Sequence, residues 1–177
     1  MVDARLWRLV AFRSLYVLAI LAVMIVLLLP IGLQAGRLPG PDIILAITIA
    51  WAMQRNDHLP VVLLAGVFLI TDLLLMRPPG LMAVIVVLAV EVIRAREITW
   101  RDLPIYAEWA IAGTIISAIF VINAIALGVF VVPQPSLGQT LIRLILTVAM
   151  YPVALMVVLY VFRVRKATSS GASGAGL

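Results

Sequence analysis

Six apolar stretches, separated by short polar turns that are rich in proline and glycine, make up most of this 177-residue chain. A membrane's hydrocarbon core is about 30 Å thick and takes about 20 apolar residues in a helix, so we interpret the stretches as transmembrane helices. The predicted spans cover residues 15–33, 41–54, 59–76, 80–93, 105–132 and 138–162.

The turns between the stretches contain residues that start or stop helices. Pro41 is placed to begin the second helix, which has only about a dozen residues and therefore needs Arg55 to reach the interface or the bilayer to thin. We predict that the first span is retained, because no small-residue cleavage site follows it. Residues 1–166 are predicted to form a single compact bundle, and residues 167–177, rich in Ser, Gly and Ala, a disordered tail.

The distribution of basic residues predicts the orientation. With six spans, ten of the 13 Lys and Arg residues fall on the side that holds both termini, and three fall on the other side or near it. Cytoplasmic loops of membrane proteins carry the excess of Lys and Arg, so both termini are predicted to be cytoplasmic. The fold class is therefore an all-α integral membrane protein with six transmembrane helices.

Composition agrees with a membrane protein and limits the chemistry. The chain is 65% hydrophobic and 12% charged, about half the charged fraction of soluble domains. It has no cysteine, which excludes disulfides and thiolate sites, and its single histidine, His58, disfavours histidine-rich metal sites. We predict no enzymatic activity, no cofactor and no metal, and we take the net charge of +5 as a sign of orientation rather than of nucleic-acid binding.

The stretch from Gly66 to Gly80 holds the most informative charge, because Asp72 lies near the outer end of an apolar span. An ionisable residue in a span is a functional or structural site by default. Arg77 and Arg143 are predicted at the same depth, so our hypothesis is that Asp72 pairs with one of them. A proton relay is the alternative, but the middle of the spans offers it only one further polar group, Asn123.

We interpret several other polar and small residues as structural. Gly113 and Ser117, with Thr114 and Ala118, form a small-residue face for close helix packing, either inside the bundle or towards a partner. Asn123 is interpreted as a hydrogen-bonded amide in the bundle interior. Two further acids, Glu91 and Glu108, lie close to the arginine-rich loop 94–104, and we expect them to be solvated or ion-paired.

Read together, several motifs resemble one known family. They are Leu29-Pro30, Pro41-Asp42, Trp51, Arg55, Gly66, Asp72, Pro79-Gly80 and Tyr151-Pro152. This pattern is similar to that of the rod shape-determining protein MreD family, and the resemblance covers residues from about 20 to 165.

The resemblance implies a scaffold of the bacterial cell-elongation machinery in the inner membrane. It implies MreC as the main partner, and through it MreB filaments, RodZ, and RodA with its penicillin-binding transpeptidase. It also implies a fold similar to the S subunits of energy-coupling-factor transporters, so the alternative function is a small-molecule-binding subunit of a vitamin transporter. The residues expected to bind partners or hold the structure are Asp42, Arg55, Gly66, Asp72, Arg77, Pro79, Gly80, Arg143, Tyr151 and Pro152, and those expected to pack helices are Gly113, Ser117 and Asn123.

Overall fold

The computed structural model of the chain describes residues 2–29, 39–100, 103–130 and 136–162. All regular structure in these ranges is helical. The helices are α1 (Val2–Leu28), α2 (Ile43–Arg55), α3 (Val61–Leu74), α4 (Leu81–Ala95), the short α5 (Glu97–Trp100), α6 (Ile105–Val129) and α7 (Leu137–Met156), with a 3₁₀ turn at Asn56–His58 and a π-helical turn at Val157–Val161.

Six of these helices lie where the apolar stretches predict them, with shifted ends. Pro60 and Pro104 precede the first residues of α3 and α6, because proline suits the start of a helix and disfavours its continuation. Ser136 and Gln139 form a capping box that begins α7. Helix α1 extends beyond the predicted span and begins at Val2, because residues 2–14 contain no helix breaker.

Helix α2 is the central element of the fold. Its residues from Ile44 to Gln54 are buried on every side of the helix. It packs against α1, α4, α6 and α7, while α3 pairs with α4 and α6 pairs with α7. A helix that is apolar all round belongs in an interior, and α2, the shortest of the six apolar helices, is enclosed by α1, α4, α6 and α7.

Aromatic rings fill the core around α2. Trp51 is fully buried, with the ring of Tyr16 5.5 Å away in an edge-on arrangement and the ring of Phe162 5.3 Å away. The Tyr16 hydroxyl is 2.9 Å from Oγ1 of Thr48, whose own hydroxyl donates to the carbonyl of Ile44. The polar end of Tyr16 therefore has a partner inside the apolar core.

Helix length divides the fold into two groups. Among the described residues, three helical segments are long and apolar enough to cross a membrane, namely Leu6–Leu28, Ile105–Val129 and Leu137–Val161. The chain is thus an all-helical membrane protein. Helices α2, α3 and α4 have 13, 14 and 15 residues, or about 20–23 Å at about 1.5 Å per residue. Because these three helices are shorter than a bilayer core, the count of six spans stays a prediction. The cytoplasmic position of both termini also stays a prediction.

The corner between α3 and α4 is closed by the backbone. The amide of Arg77 donates to the carbonyl of Asp72 at 2.9 Å, and the amide of Met76 donates to Leu73 at 3.4 Å. These two bonds form a Schellman motif, which usually places glycine in the left-handed position. Met76 occupies that position with φ of 53° and a side chain that is 94% exposed. The corner therefore carries backbone strain that no side-chain packing offsets.

Replacing Met76 by glycine is expected to stabilise the protein by about 0.5–1 kcal/mol. Glycine removes the steric penalty of the left-handed conformation, and its greater entropy in the unfolded chain offsets only part of this gain. The measurement is the free energy of unfolding in mixed micelles titrated with a denaturing detergent. Met76→Ala is the control, since alanine keeps the penalty; a glycine variant no more stable than the alanine variant would contradict the prediction.

Candidate functional site

An ionic cluster lies at the end of the bundle where α2 begins. Asp42 is buried, and its Oδ2 accepts hydrogen bonds from Nη2 of Arg77 at 3.0 Å and from Nη2 of Arg143 at 2.9 Å. Its Oδ1 accepts from the amide of Leu45, which caps the first turn of α2. Its own amide donates to Oγ1 of Thr147 at 2.9 Å. One carboxylate therefore ties α2 to α7 and to the α3–α4 corner.

The predicted pairing of Asp72 with Arg77 or Arg143 is wrong. The depth prediction did place both arginines beside an acid, but the acid is Asp42. The physical reason is rotation about the helix axes. The start of α2 faces α7 directly, whereas Asp72 on α3 points along its own hairpin towards α4.

Asp72 instead closes the α3–α4 corner. It is fully buried, and its Oδ2 accepts from the amide of Gly80 at 3.1 Å. Gly80 is the N-cap of α4 and has φ of 85°, a conformation that favours glycine. The carboxylate thus lies at a helix N-terminus, where backbone N–H groups and the helix dipole stabilise negative charge. Together with its carbonyl bond to Arg77, Asp72 fixes both ends of the Pro78-Pro79 turn.

A second polar cluster lies at the opposite end of α2. Oε1 of Glu108 accepts from Nε2 of Gln54 at 2.7 Å and from the hydroxyl of Tyr151 at 3.2 Å. Glu108 is only 3% exposed, so of the two expected states, solvated or ion-paired, the solvated one does not hold for this residue. Rotation of α6 turns it inward, towards α2 and α7. The same expectation is confirmed for Glu91, which is partly exposed and forms a salt bridge with Arg94.

The Tyr151-Pro152 motif has a structural explanation of its own. Pro152 lies inside α7 and has no N–H, so the carbonyl of Val148 four residues earlier loses its helical donor. The indole Nε1 of Trp109 donates to this carbonyl at 2.9 Å. A carbonyl without a donor is costly in lipid, so Trp109 compensates for the proline. With Glu108 bonded to Tyr151, two consecutive residues of α6 hold α7 at the proline.

Trp109→Phe is expected to destabilise the protein by about 1–2 kcal/mol, because it leaves the Val148 carbonyl without a donor. In a Pro152→Ala background the same substitution should cost less than about 0.5 kcal/mol, since the alanine N–H can bond to Val148. Free energies of unfolding of the four variants in detergent micelles give the comparison. Equal costs in both backgrounds would show that the indole does not serve this carbonyl.

The small-residue face of α6 divides between the interior and the surface. Gly113 is buried, and a Cβ added there would lie 3.2 Å from Cγ1 of Val148, so it sets the close approach of α6 and α7. Beside this contact is an open groove of about 520 Å³, lined by Trp109, Ala110, Gly113, Thr114, Ser117 and Val148. The hydroxyls of Thr114 and Ser117 donate to carbonyls in their own helix. The groove therefore presents a largely apolar surface.

The remaining predicted residues are placed as follows. Asn123 is half-buried on α6, and Pro79 is exposed at the α3–α4 corner. Gly66 is exposed on α3, and a Cβ there would meet nothing within 4 Å. No close contact with the described residues therefore requires glycine at this position. Glycine inside a helix nevertheless costs about 1 kcal/mol of stability. The predictions that fall on residues 30–38, 101–102, 131–135 and 163–177 lie outside the described residues.

His58 lies in the 3₁₀ turn that follows α2, outside the predicted spans. It is only 3% exposed and its ring stacks on Phe12 of α1, with centroids 4.7 Å apart. Burial, followed by the positive charge of Arg55, lowers the pKa of His58 from 6.5 to about 4; Asp57 opposes this change and Arg13 adds to it. The imidazole is therefore neutral in the folded protein at physiological pH.

Stability in a neutral detergent is expected to fall by about 2 kcal/mol between pH 7 and pH 5. The unfolded chain protonates His58 near pH 6.5, whereas the folded chain resists until about pH 4, so the stabilisation is complete above pH 6.5 and is lost towards pH 4. Thermal unfolding across this range is the measurement. Because His58 is the single histidine, His58→Gln should flatten the curve, and an unchanged slope in that variant would contradict the assignment.

The polar clusters built on α2 connect helices to one another. In each of the two clusters built on α2, a buried carboxylate bonds to side chains from other helices. No group of three His, Asp or Glu side chains that could hold a metal ion occurs among the described residues. No known protein family, curated protein or solved structure matches this chain. The resemblance to the MreD family therefore rests on the sequence motifs.

Three residues of these clusters were not anticipated from the sequence. Gln54 and Thr147 are polar residues within predicted spans, and that position alone could have marked them as buried partners. Trp109 had a different signal. Pro152 predicts that the carbonyl four residues earlier lacks its helical N–H donor, but the sequence does not show which helix supplies a donor in its place.

Proposed function

We propose that this protein is a non-enzymatic membrane scaffold of the bacterial cell-elongation complex, located in the inner membrane, which binds the transmembrane helix of MreC. Through MreC it would support MreB filaments, RodZ, and RodA with its transpeptidase in peptidoglycan synthesis and rod shape. The partners are those that the family resemblance implies. The mode of binding is inferred from the helix surfaces.

The observation that carries the mode of binding is the groove between α6 and α7. A partner helix can approach closely where small residues line a surface, and Ala110 and Thr114 are both exposed there. The hydroxyls in the groove are bonded within their own helix, so an apolar helix would meet no unsatisfied donor. In contrast, Asp42, Asp72 and Glu108 are buried and already hold the bundle together.

Complementation tests the cellular role. Depletion of the protein in a rod-shaped host should turn rods into spheres, and the wild-type chain should restore rods. Ala110→Leu, which fills the groove, should fail to restore rods although the protein accumulates in the membrane. Ala22→Leu makes the same change at an exposed position of α1 and should restore them.

Three results would count against the proposal. Rods that persist after depletion would reject the shape function. Failure of both leucine variants at normal protein levels would show that the groove is not special. Recovery of a stoichiometric vitamin from the purified protein would favour the transporter-subunit alternative.

A further inference from the structure

The junction of α1, the end of α2 and the 3₁₀ turn is a third place where polar groups gather, besides the clusters around Asp42 and Glu108. Phe12 on α1 stacks on His58 with an interplanar angle of 5°, which fixes α1 against the turn. Arg13 follows Phe12, and Arg55 ends α2. Both arginines are near enough to His58 to act on its charge, so the three side chains converge on one region.

Three nitrogen atoms in this junction are buried and have no hydrogen-bond partner in the described part of the chain. They are Nε of Arg13, Nε of Arg55 and Nδ1 of His58. The Nε–H groups of the two arginines are always donors, and Nδ1 of neutral His58 is a donor in one of its two tautomers. A buried polar group without a partner costs about 1–3 kcal/mol, so three in one region need a common explanation. An acceptor with several oxygen atoms, bound among them, would supply it.

The charge of the junction points to an anionic acceptor. Neither Arg13 nor Arg55 forms a salt bridge with a described acidic residue. Nearby Arg94, by contrast, is neutralised by Glu91 and also donates to the carbonyl of Leu59. The nearest acid along the chain is Asp57, whose side chain is exposed. The two partly buried guanidinium groups therefore carry an unbalanced positive charge at the end of the bundle.

We propose that this junction binds the phosphate group of an anionic phospholipid, with Arg13, Arg55 and His58 as the donors. Guanidinium groups match the geometry of phosphate oxygens, and basic pockets between helices at the membrane surface suit lipid headgroups. A lipid is favoured over free phosphate because α1 presents exposed apolar side chains, including Leu6, Trp7 and Val10, on the neighbouring turns. Acyl chains can pack there while the headgroup lies among the donors. The proposal does not depend on the scaffold function.

Lipid titration of the full chain in a neutral detergent tests this site. Native mass spectrometry should show phosphatidylglycerol binding in clear preference to phosphatidylcholine. The double variant Arg13→Gln/Arg55→Gln should weaken phosphatidylglycerol binding by about thirtyfold, since two headgroup contacts are lost. The double variant Arg8→Gln/Arg96→Gln removes the same charge from exposed positions and should bind within about twofold of the wild type.

Several outcomes would overturn the proposal. Equal losses in the two double variants would show general charge attraction rather than a site, and equal binding of the two lipids would reject anion recognition. Competition by millimolar inorganic phosphate, with no lipid preference, would assign the site to free phosphate. Should the first double variant not fold, Arg13→Gln alone is measured, with Arg8→Gln as its control, and equal affinities of the two would reject the site.

Discussion

Asp42→Ala is expected to be the most damaging substitution of a charged residue, lowering the free energy of unfolding by about 3–4 kcal/mol. The change leaves Arg77 and Arg143 without their counter-charge, and these side chains are only 19% and 33% exposed. Removing one partner of a buried ion pair costs about 3 kcal/mol at the lower end of the usual range, and loss of the α2 cap adds about 1 kcal/mol. Denaturing-detergent titration in micelles measures the loss.

Control variants distinguish the loss of the Asp42 ion pairs from the loss of any acidic side chain. Asp57→Ala removes an exposed acid and should cost less than about 0.5 kcal/mol. Asp42→Ala and Arg143→Gln should be strongly non-additive, with a coupling above about 1 kcal/mol, whereas Asp72→Ala and Arg143→Gln should add within about 0.5 kcal/mol. Coupling of Arg143 to Asp72 instead of Asp42 would contradict the geometry of the cluster.

Glu108→Ala is expected to cost about 2–4 kcal/mol at the other end of α2. The substitution leaves the Gln54 amide and the Tyr151 hydroxyl in a buried site without this acceptor, and unsatisfied donors are more costly than lost hydrogen bonds. Because Glu108 joins α2, α6 and α7, its loss should also weaken the contact at Pro152. Unfolding in micelles again provides the measurement.

The matched control for Glu108 is Glu91→Ala. Glu91 is 42% exposed and paired with Arg94, so its removal should cost less than about 1 kcal/mol. Tyr151→Phe should cost about 1 kcal/mol in the wild type and much less after Glu108→Ala. If the two glutamates prove equally dispensable, Glu108 is a surface acid and the cluster of Glu108, Gln54 and Tyr151 does not exist.

Helix positions could be predicted from the sequence because their determinants are local. Pro41, Pro60 and Pro104 each precede a helix, and Pro78-Pro79-Gly80 separates α3 from α4. The length of an apolar stretch also predicts that it lies in a membrane, and this prediction needs no knowledge of helix packing. Helix α1 begins ahead of its predicted span, because basic residues end an apolar stretch but do not end a helix.

Partners of the buried charges could not be predicted, since they depend on how each helix is rotated. Predicted depth in the membrane grouped Asp72 with Arg77 and Arg143, but depth is one coordinate of three. Whether an arginine meets Asp42 or Asp72 is decided by which face of α3 turns towards α7. The rotation of α6 likewise explains why the burial of Glu108 could not be predicted. Glu108 is close to a polar loop in the sequence, but in the structure it contacts Tyr151.

Disulfide crosslinking to MreC tests the central claim, that the groove between α6 and α7 receives the partner's transmembrane helix. The chain has no native cysteine, so single variants report unambiguously. Ala110→Cys and Thr114→Cys should crosslink to a cysteine scan of the MreC helix with a repeat of about 3.6 residues, and Ala22→Cys on α1 should not. Crosslinks that form only at Ala22→Cys or at Gly66→Cys, with none in the groove, would contradict the account.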